Sequence, residues 1–205
     1  ERYTPEAAGY MGFGDPSGAK LTTEQTYLAD AARHGAELIV HCTAQRVLVE
    51  DGRAAGVEAV ANGGADRVVV RAPQVVVAAG ALESPALLLR SGIGGPAAGQ
   101  YLRLHPCAAV FGVYSEPQDP WWGPPQGAVC HEFEDLSDGY GFLIEGVQFT
   151  PAITGSAIPW RTGSEHKSLT ENVRFGATLI ALTRDEGHGQ VVLDPAGNAA
   201  PFYAL

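Results

Sequence analysis

Apolar residues in this chain come in short runs, each closed by a glycine, proline or aspartate turn, and the period of each run predicts its element. Thr22 with Gln25 three residues on makes a capping box, and Tyr27, Leu28, Ala31 and Ala32 share one helical face before Gly35 ends it. Residues 37–41, ELIVH, then read as a strand, so helix and strand form the second half of a β–α–β crossover. Three further strands, 46–50, 55–60 and 67–71, are separated by Asp51-Gly52 and Asn62-Gly63-Gly64, which predicts an antiparallel meander. Residues 74–79, QVVVAA, have the unbroken apolar character of a parallel strand buried on both faces. Gly80 turns the chain, Ser84 is the expected N-cap, Pro85 takes the first helical position, Leu87, Leu88 and Leu89 pack, and Ser91-Gly92 stops the helix.

Beyond Gly94 the pattern changes. Residues 99–106 read as a polar linker, and strands are expected at 108–114, 128–133, 141–149, 174–182 and 190–193, with a helix over about 164–173. This half predicts an antiparallel sheet, with the division between the two parts at residues 103 and 104.

Composition narrows the function classes. The chain of 205 residues is 45% hydrophobic, enough for one sizeable core or two small ones. Its 13 basic and 23 acidic side chains give a net charge of −10, which opposes nucleic-acid binding. No apolar run is long enough to predict a membrane span. Cys42, Cys107 and Cys130 are odd in number and far apart, and the six histidines lack ligand spacing, so neither a disulfide scaffold nor a metal site is expected. Without targeting signals the expected compartment is the cytoplasm.

The segment 80–94, GALESPALLLRSGIG, is similar to the second signature of the glucose–methanol–choline (GMC) oxidoreductases. The matching positions are Gly80, Ala81, Ser84, Pro85, Leu87, Leu88, Ser91, Gly92, Ile93 and Gly94. The resemblance implies a mixed α/β fold with an α+β extension. Residues 1–103 would be part of a two-dinucleotide-fold FAD-binding domain, parallel strands plus meander, and residues 104–205 part of an antiparallel-sheet substrate domain. It further implies that Ala79, Gly80 and Ala81 line the adenosine side of FAD, and that the main chain of Ala44 meets the adenine. The segment 99–106, GQYLRLHP, resembles the family's passage between domains, with Tyr101 where Asn is common and Leu104 where Asp is common. Those departures, with Trp160-Arg161 and Glu165-His166-Lys167, resemble the long-chain alcohol oxidase branch. The loop 9–19 resembles a branch motif that carries cysteines, which are absent here.

The expected chemistry is oxidation of a small-molecule alcohol to a carbonyl with FAD as acceptor. The sequence contains neither GxGxxG, which holds the pyrophosphate, nor the family's C-terminal His followed by His or Asn. No residue is therefore assigned as catalytic; His105, a lone His in the linker, reads as structural. The chain is expected to be a central fragment that is inactive alone. Two other readings remain open here: another flavoprotein or NAD(P)-binding module of similar fold, and a non-catalytic binding domain. The aromatic residues Trp121, Trp122 and Trp160 suit an apolar channel or the packed edge of a sheet.

Overall fold

The computed structural model describes residues 14, 18, 20–123, 125–148 and 150–203, which fall into two compact units. The first comprises Ala36–Leu104 with Asp185–Leu205, and the second Glu1–Gly35 with His105–Arg184. Segment 185–205, which the sequence places with the downstream half, packs in the same unit as 36–104. Most of the loop 9–19 lies outside the described residues, as do Pro124 in the aromatic loop and Phe149 at the end of an expected strand.

In the first unit, β1 (Cys42–Glu50), β2 (Arg53–Ala61) and β3 (Asp66–Arg71) form the antiparallel meander in that order. Asp51 and Gly52 both take positive φ, 50° and 75°, as a two-residue hairpin turn with the twist of its strands requires. Helix α2 (Gly80–Arg90) packs against β1 and against a second small sheet. That sheet contains β4 (Gln100–Leu102), β9 (Gly189–Leu193) and β10 (Ala199–Phe202), ordered β10-β9-β4. Val47, Ala59, Ala86, Leu87 and Val191 are the buried residues of this core. Gly99 is required by proximity as well as by its φ of +77°: a Cβ there would lie 2.2 Å from the carbonyl oxygen of Val191. Within the segment expected to be a polar linker, 100–102 is therefore a paired strand.

The start of the signature helix and the role of Ser84 are corrected, and two segments expected as strands are unpaired. Helix α2 begins at Gly80, four residues before the expected N-cap, so Ser84 and Pro85 lie inside it. Ser84 Oγ accepts the N–H of Ala79, 2.9 Å away, and ties down the turn before the helix instead of capping helical amides. Neither 37–41 nor 74–79 joins a ladder, and every pairing among the described residues is antiparallel. Val40 and Val76 are 74% and 89% exposed. A parallel strand exists only between neighbours that take up its N–H and C=O groups and cover both faces, and the described residues supply none.

In the second unit, the capping box forms as expected: Thr22 N–H donates to Gln25 Oε1 and Gln25 N–H to Thr22 Oγ1. It opens a π turn, Glu24–Leu28, that runs into α1 (Ala29–Arg33). Tyr27 and Leu28, expected to pack, are exposed. Strands β5 (Cys107–Val113), β6 (Gln126–Cys130), β7 (Phe142–Val147) and β8 (Gly176–Thr183) make an antiparallel sheet ordered β5-β8-β7-β6. Helices α3 (Pro151–Ala157) and α4 (Gly163–Glu171) are each capped by a threonine, Thr150 accepting from Ile153 N–H and Thr162 from Glu165 N–H.

The meander carries a cross-strand ion triad. Glu58 on β2 accepts from Arg46 on β1 at 2.7 Å and from Arg67 on β3 at 2.6 Å. The hydrogen bonds from Arg67 and then Arg46 hold its carboxyl at about 2, below the usual 4.5. A depressed folded-state pKa gives stability that is complete above about pH 4.5 and lost as pH falls toward about 2. The difference in urea midpoint between the wild type and Glu58→Gln is expected to shrink steadily across that window. A difference independent of pH would contradict the assignment.

Tyr101 on β4 sits in the left-handed region, φ +61°, with its ring 5.7 Å from that of His188. A bulky residue is costly there and Asn is not, which accounts physically for the Asn common in the resembling family. Tyr101→Asn is expected to stabilise the chain by about 1 kcal/mol, less whatever the ring contact contributes. The check is the urea midpoint, and a lower midpoint than wild type would show the ring contact to dominate.

Candidate cofactor site

The expected cofactor residues Ala79, Gly80 and Ala81 meet at the open N-terminus of α2. Gly80 has φ +83°, and beyond its chain neighbours and its own helix backbone no atom lies within 4 Å of where its Cβ would be, so no other part of the protein fills that space. Ala79, Gly80, Ala81 and Leu82 are all exposed. The first-turn amides of a helix have no intrahelical acceptor and carry a partial positive charge, so this end suits a phosphate or sugar oxygen. One carboxylate, Glu83, lies in that turn, and it is drawn back along the helix by Arg90, 3.4 Å away. The geometry fits a nucleotide on three counts: no side chain fills the cradle at Gly80, the amides are accessible, and Ser84 holds the turn in place.

Ala44 is placed differently. It lies half-buried on β1, paired with Ala59, next to a bulge between Ala44 and Arg46. The side-chain hydrogen bonds between α2 and β1 are made at the far end of the helix. There Arg90 Nε donates to the Gln45 carbonyl (3.2 Å), and Ser91 Oγ accepts from Val47 N–H (2.8 Å). Ten residues of helix, about 15 Å, separate Gly80 from Arg90. Ala44 thus neighbours the residue bonded from the C-terminal end of the helix, and Ala79, Gly80 and Ala81 lie at its N-terminal end.

The sequence reading missed two polar clusters in this unit. Arg90 Nη1 also donates to the Gly197 carbonyl, 3.1 Å away, and Ser91 Oγ donates to the Leu87 carbonyl. The available signal was a cation following three leucines on a packed helix. In the second cluster Asp185 accepts from Tyr203 Oη and from Leu104 N–H, and these bonds, that from Tyr203 foremost, hold its carboxyl below the usual range. The same bond pushes the Tyr203 phenol up. Gln100, His188, Gln190, Phe202 and Tyr203 line an open cleft of about 430 Å³ in this unit. No local spacing announces the Asp185 cluster, because only folding brings Leu104 to Asp185 and Tyr203.

In the second unit, His105 is exposed on a cleft of about 220 Å³ with Glu134, Phe142 and Arg184. Trp122 and Trp160 are exposed, and the Trp160 ring stands edge-on to His166 at 5.5 Å. The three cysteines are free thiols. Among the described residues no group of three or more His, Cys, Asp or Glu could hold a metal ion, and no helix is long and apolar enough to cross a membrane.

Comparison with known proteins identifies the family. The family model described as GMC oxidoreductase matches residues 3–107, which include α2 and the meander. A long-chain-alcohol oxidase of Arabidopsis thaliana is 31% identical over 212 residues, covering 94% of this chain and 28% of that protein. An uncharacterized GMC-type oxidoreductase of Mycobacterium tuberculosis is 39% identical over 179 residues, covering 87% of this chain and 28% of its own length. Among solved structures, pyridoxine 4-oxidase from Mesorbium loti has a TM-score of 0.66 at 20% identity, over 90% of this chain and 38% of that one. Formate oxidase of Aspergillus oryzae, whose structure concerns FAD modification, has a TM-score of 0.54 at 16% identity, over 80% and 38%. The chain thus spans little more than a quarter of the length of these sequence relatives. With its signature helix, its meander and this breadth of similarity, the chain belongs to the GMC oxidoreductase family.

Proposed function

We propose that this chain is the central part of an FAD-dependent oxidoreductase that oxidises an alcohol with a long or otherwise apolar chain to a carbonyl compound. The observation that carries this reading is the exposed N-terminus of α2, where Gly80 leaves a cradle free beside accessible amides. Ala79, Gly80 and Ala81 would line the adenosine side of FAD, and the main chain of Ala44 the adenine. When bound, FAD accepts the two electrons and the hydrogen removed from the alcohol. Segments 37–41 and 74–79, apolar and unpaired here, would be strands of the two-dinucleotide fold once the complete protein supplies their neighbours.

Residues 105–184 would contribute to the substrate side. One face of their sheet presents Ala108 and Val110 from β5, Leu179 and Ala181 from β8 and Ile144 from β7, by register and alternation. Val110 and Leu179 on it are 67% and 45% exposed. None of these five side chains is charged, which suits an alkyl substrate better than choline or a sugar. This face, and the long-chain-alcohol oxidase among the relatives, support the substrate class. The base that takes the hydroxyl proton is assigned to no residue of this chain.

Two measurements test the reading. The purified 205-residue chain is expected to be colourless and without alcohol oxidase activity, because it has no GxGxxG to hold the pyrophosphate. The complete protein is expected to be yellow, and to lose most of its flavin absorbance on Gly80→Val with its circular dichroism retained. A stoichiometric flavin spectrum from the chain alone, or full flavin occupancy in Gly80→Val, would sink it.

A further inference from the structure

Between α3 and the sheet of the second unit lies a cavity of about 220 Å³ that the flavoprotein reading does not use. Its walls are Ala109 and Phe111 of β5, Thr178 of β8, and Thr154, Ala157, Ile158 and Pro159 on and after α3. The cavity exists because the facing positions are small. Phe111 and Thr178 are cross-strand partners on one face of the sheet, and the Phe111 ring lies over Gly176, where a Cβ would come within 1.9 Å of it. With the ring held there, Ala109 and Ala157 leave space that larger residues would fill. Thr154, Ile158 and Thr178 are buried at its base, while Ala109, Ala157 and Pro159 are exposed at its mouth.

Thr154 is the informative residue. It is 2% exposed, and its Oγ1 has no hydrogen-bond partner. A helical threonine ordinarily bonds the carbonyl four residues back, as Thr170 in α4 does with His166 at 2.8 Å. Thr154 does not: the Thr150 carbonyl receives only the Thr154 backbone N–H. A buried hydroxyl without a partner is costly, and a helical threonine has two accessible χ1 rotamers through which its oxygen can turn toward a partner in the cavity.

From this we infer a binding pocket for a small alkyl molecule bearing one oxygen at one end. Ala109, Phe111, Ala157, Ile158 and Pro159 take the hydrocarbon, and Thr154 Oγ1 exchanges a hydrogen bond with the oxygen. An apolar cavity of about 150 Å³ accommodates benzene, so this one has room for a chain of about six carbons with its hydroxyl, and is smaller than a drug-sized site. The pocket lies within the second unit and needs no flavin, so its test is independent of the flavoprotein reading.

The probe is 1-hexanol titrated into the full 205-residue chain, read by methyl NMR at Ala109, Thr154, Ala157, Ile158 and Thr178. Saturable shifts at these methyls are expected. Thr154→Val is expected to bind hexanol about fivefold more weakly while folding at least as stably, since it removes the orphaned hydroxyl. Ala157→Leu, a substitution at an exposed helical position, is expected to close the mouth and abolish the shifts. Absence of saturable shifts up to the solubility of hexanol, undiminished binding by Thr154→Val, or undiminished binding by Ala157→Leu would each overturn the inference. Water alone in the pocket would give the first of these results.

Discussion

The guanidinium of Arg90 holds the first unit together. It is mostly buried, and it reaches the Gln45 carbonyl, the Gly197 carbonyl and the Glu83 carboxylate. A buried cation is tolerated only when its donors are used, and here two of the acceptors lie 45 and 107 residues away in the chain. Strand β1, helix α2 and the β9–β10 hairpin are thereby locked together at one end of the helix. Ser91, the next residue, uses its hydroxyl twice, accepting from Val47 and donating to Leu87. The hairpin itself is preformed for the contact: Asp194 accepts from the backbone of Ala196 and Asn198 and so presents the Gly197 carbonyl.

The signature segment 80–94 thus has a different task at each end. Its Arg-Ser end is a structural clamp, which explains why those residue types occur there. Its Gly-Ala end is left open, and an open helix N-terminus with a glycine is what a nucleotide requires. Holding the helix at its C-terminus leaves the amides at its N-terminus accessible, so packing and binding do not compete for the same groups.

The second unit follows another logic. Its sheet is regular and antiparallel, yet it exposes an apolar face on one side and keeps an underfilled cavity on the other. Stability would favour charged residues on the exposed face and a larger residue in place of Ala109 or Ala157. Departures of this kind accord with surfaces kept for ligands.

The turns, the meander, the capping box and the signature helix were legible in the sequence because each depends on contacts within a few residues. Asp51-Gly52 dictates its hairpin wherever the sheet lies, and Thr22 finds Gln25 within one turn. The exposed turn at Ala79, Gly80 and Ala81 was legible for the same reason. Partnership was not. Whether ELIVH and QVVVAA become strands depends on neighbours that a one-dimensional pattern does not name, and without them both stay unpaired, ELIVH exposed throughout and QVVVAA at all but Val75 and Val77. The entry of 185–205 into the first unit, the Arg90 clamp, the Asp185–Tyr203 pair and the orphaned Thr154 hydroxyl were decided only in three dimensions. Each is a meeting, or a failed meeting, of polar groups, and a buried polar group's partner is set by packing and not by spacing.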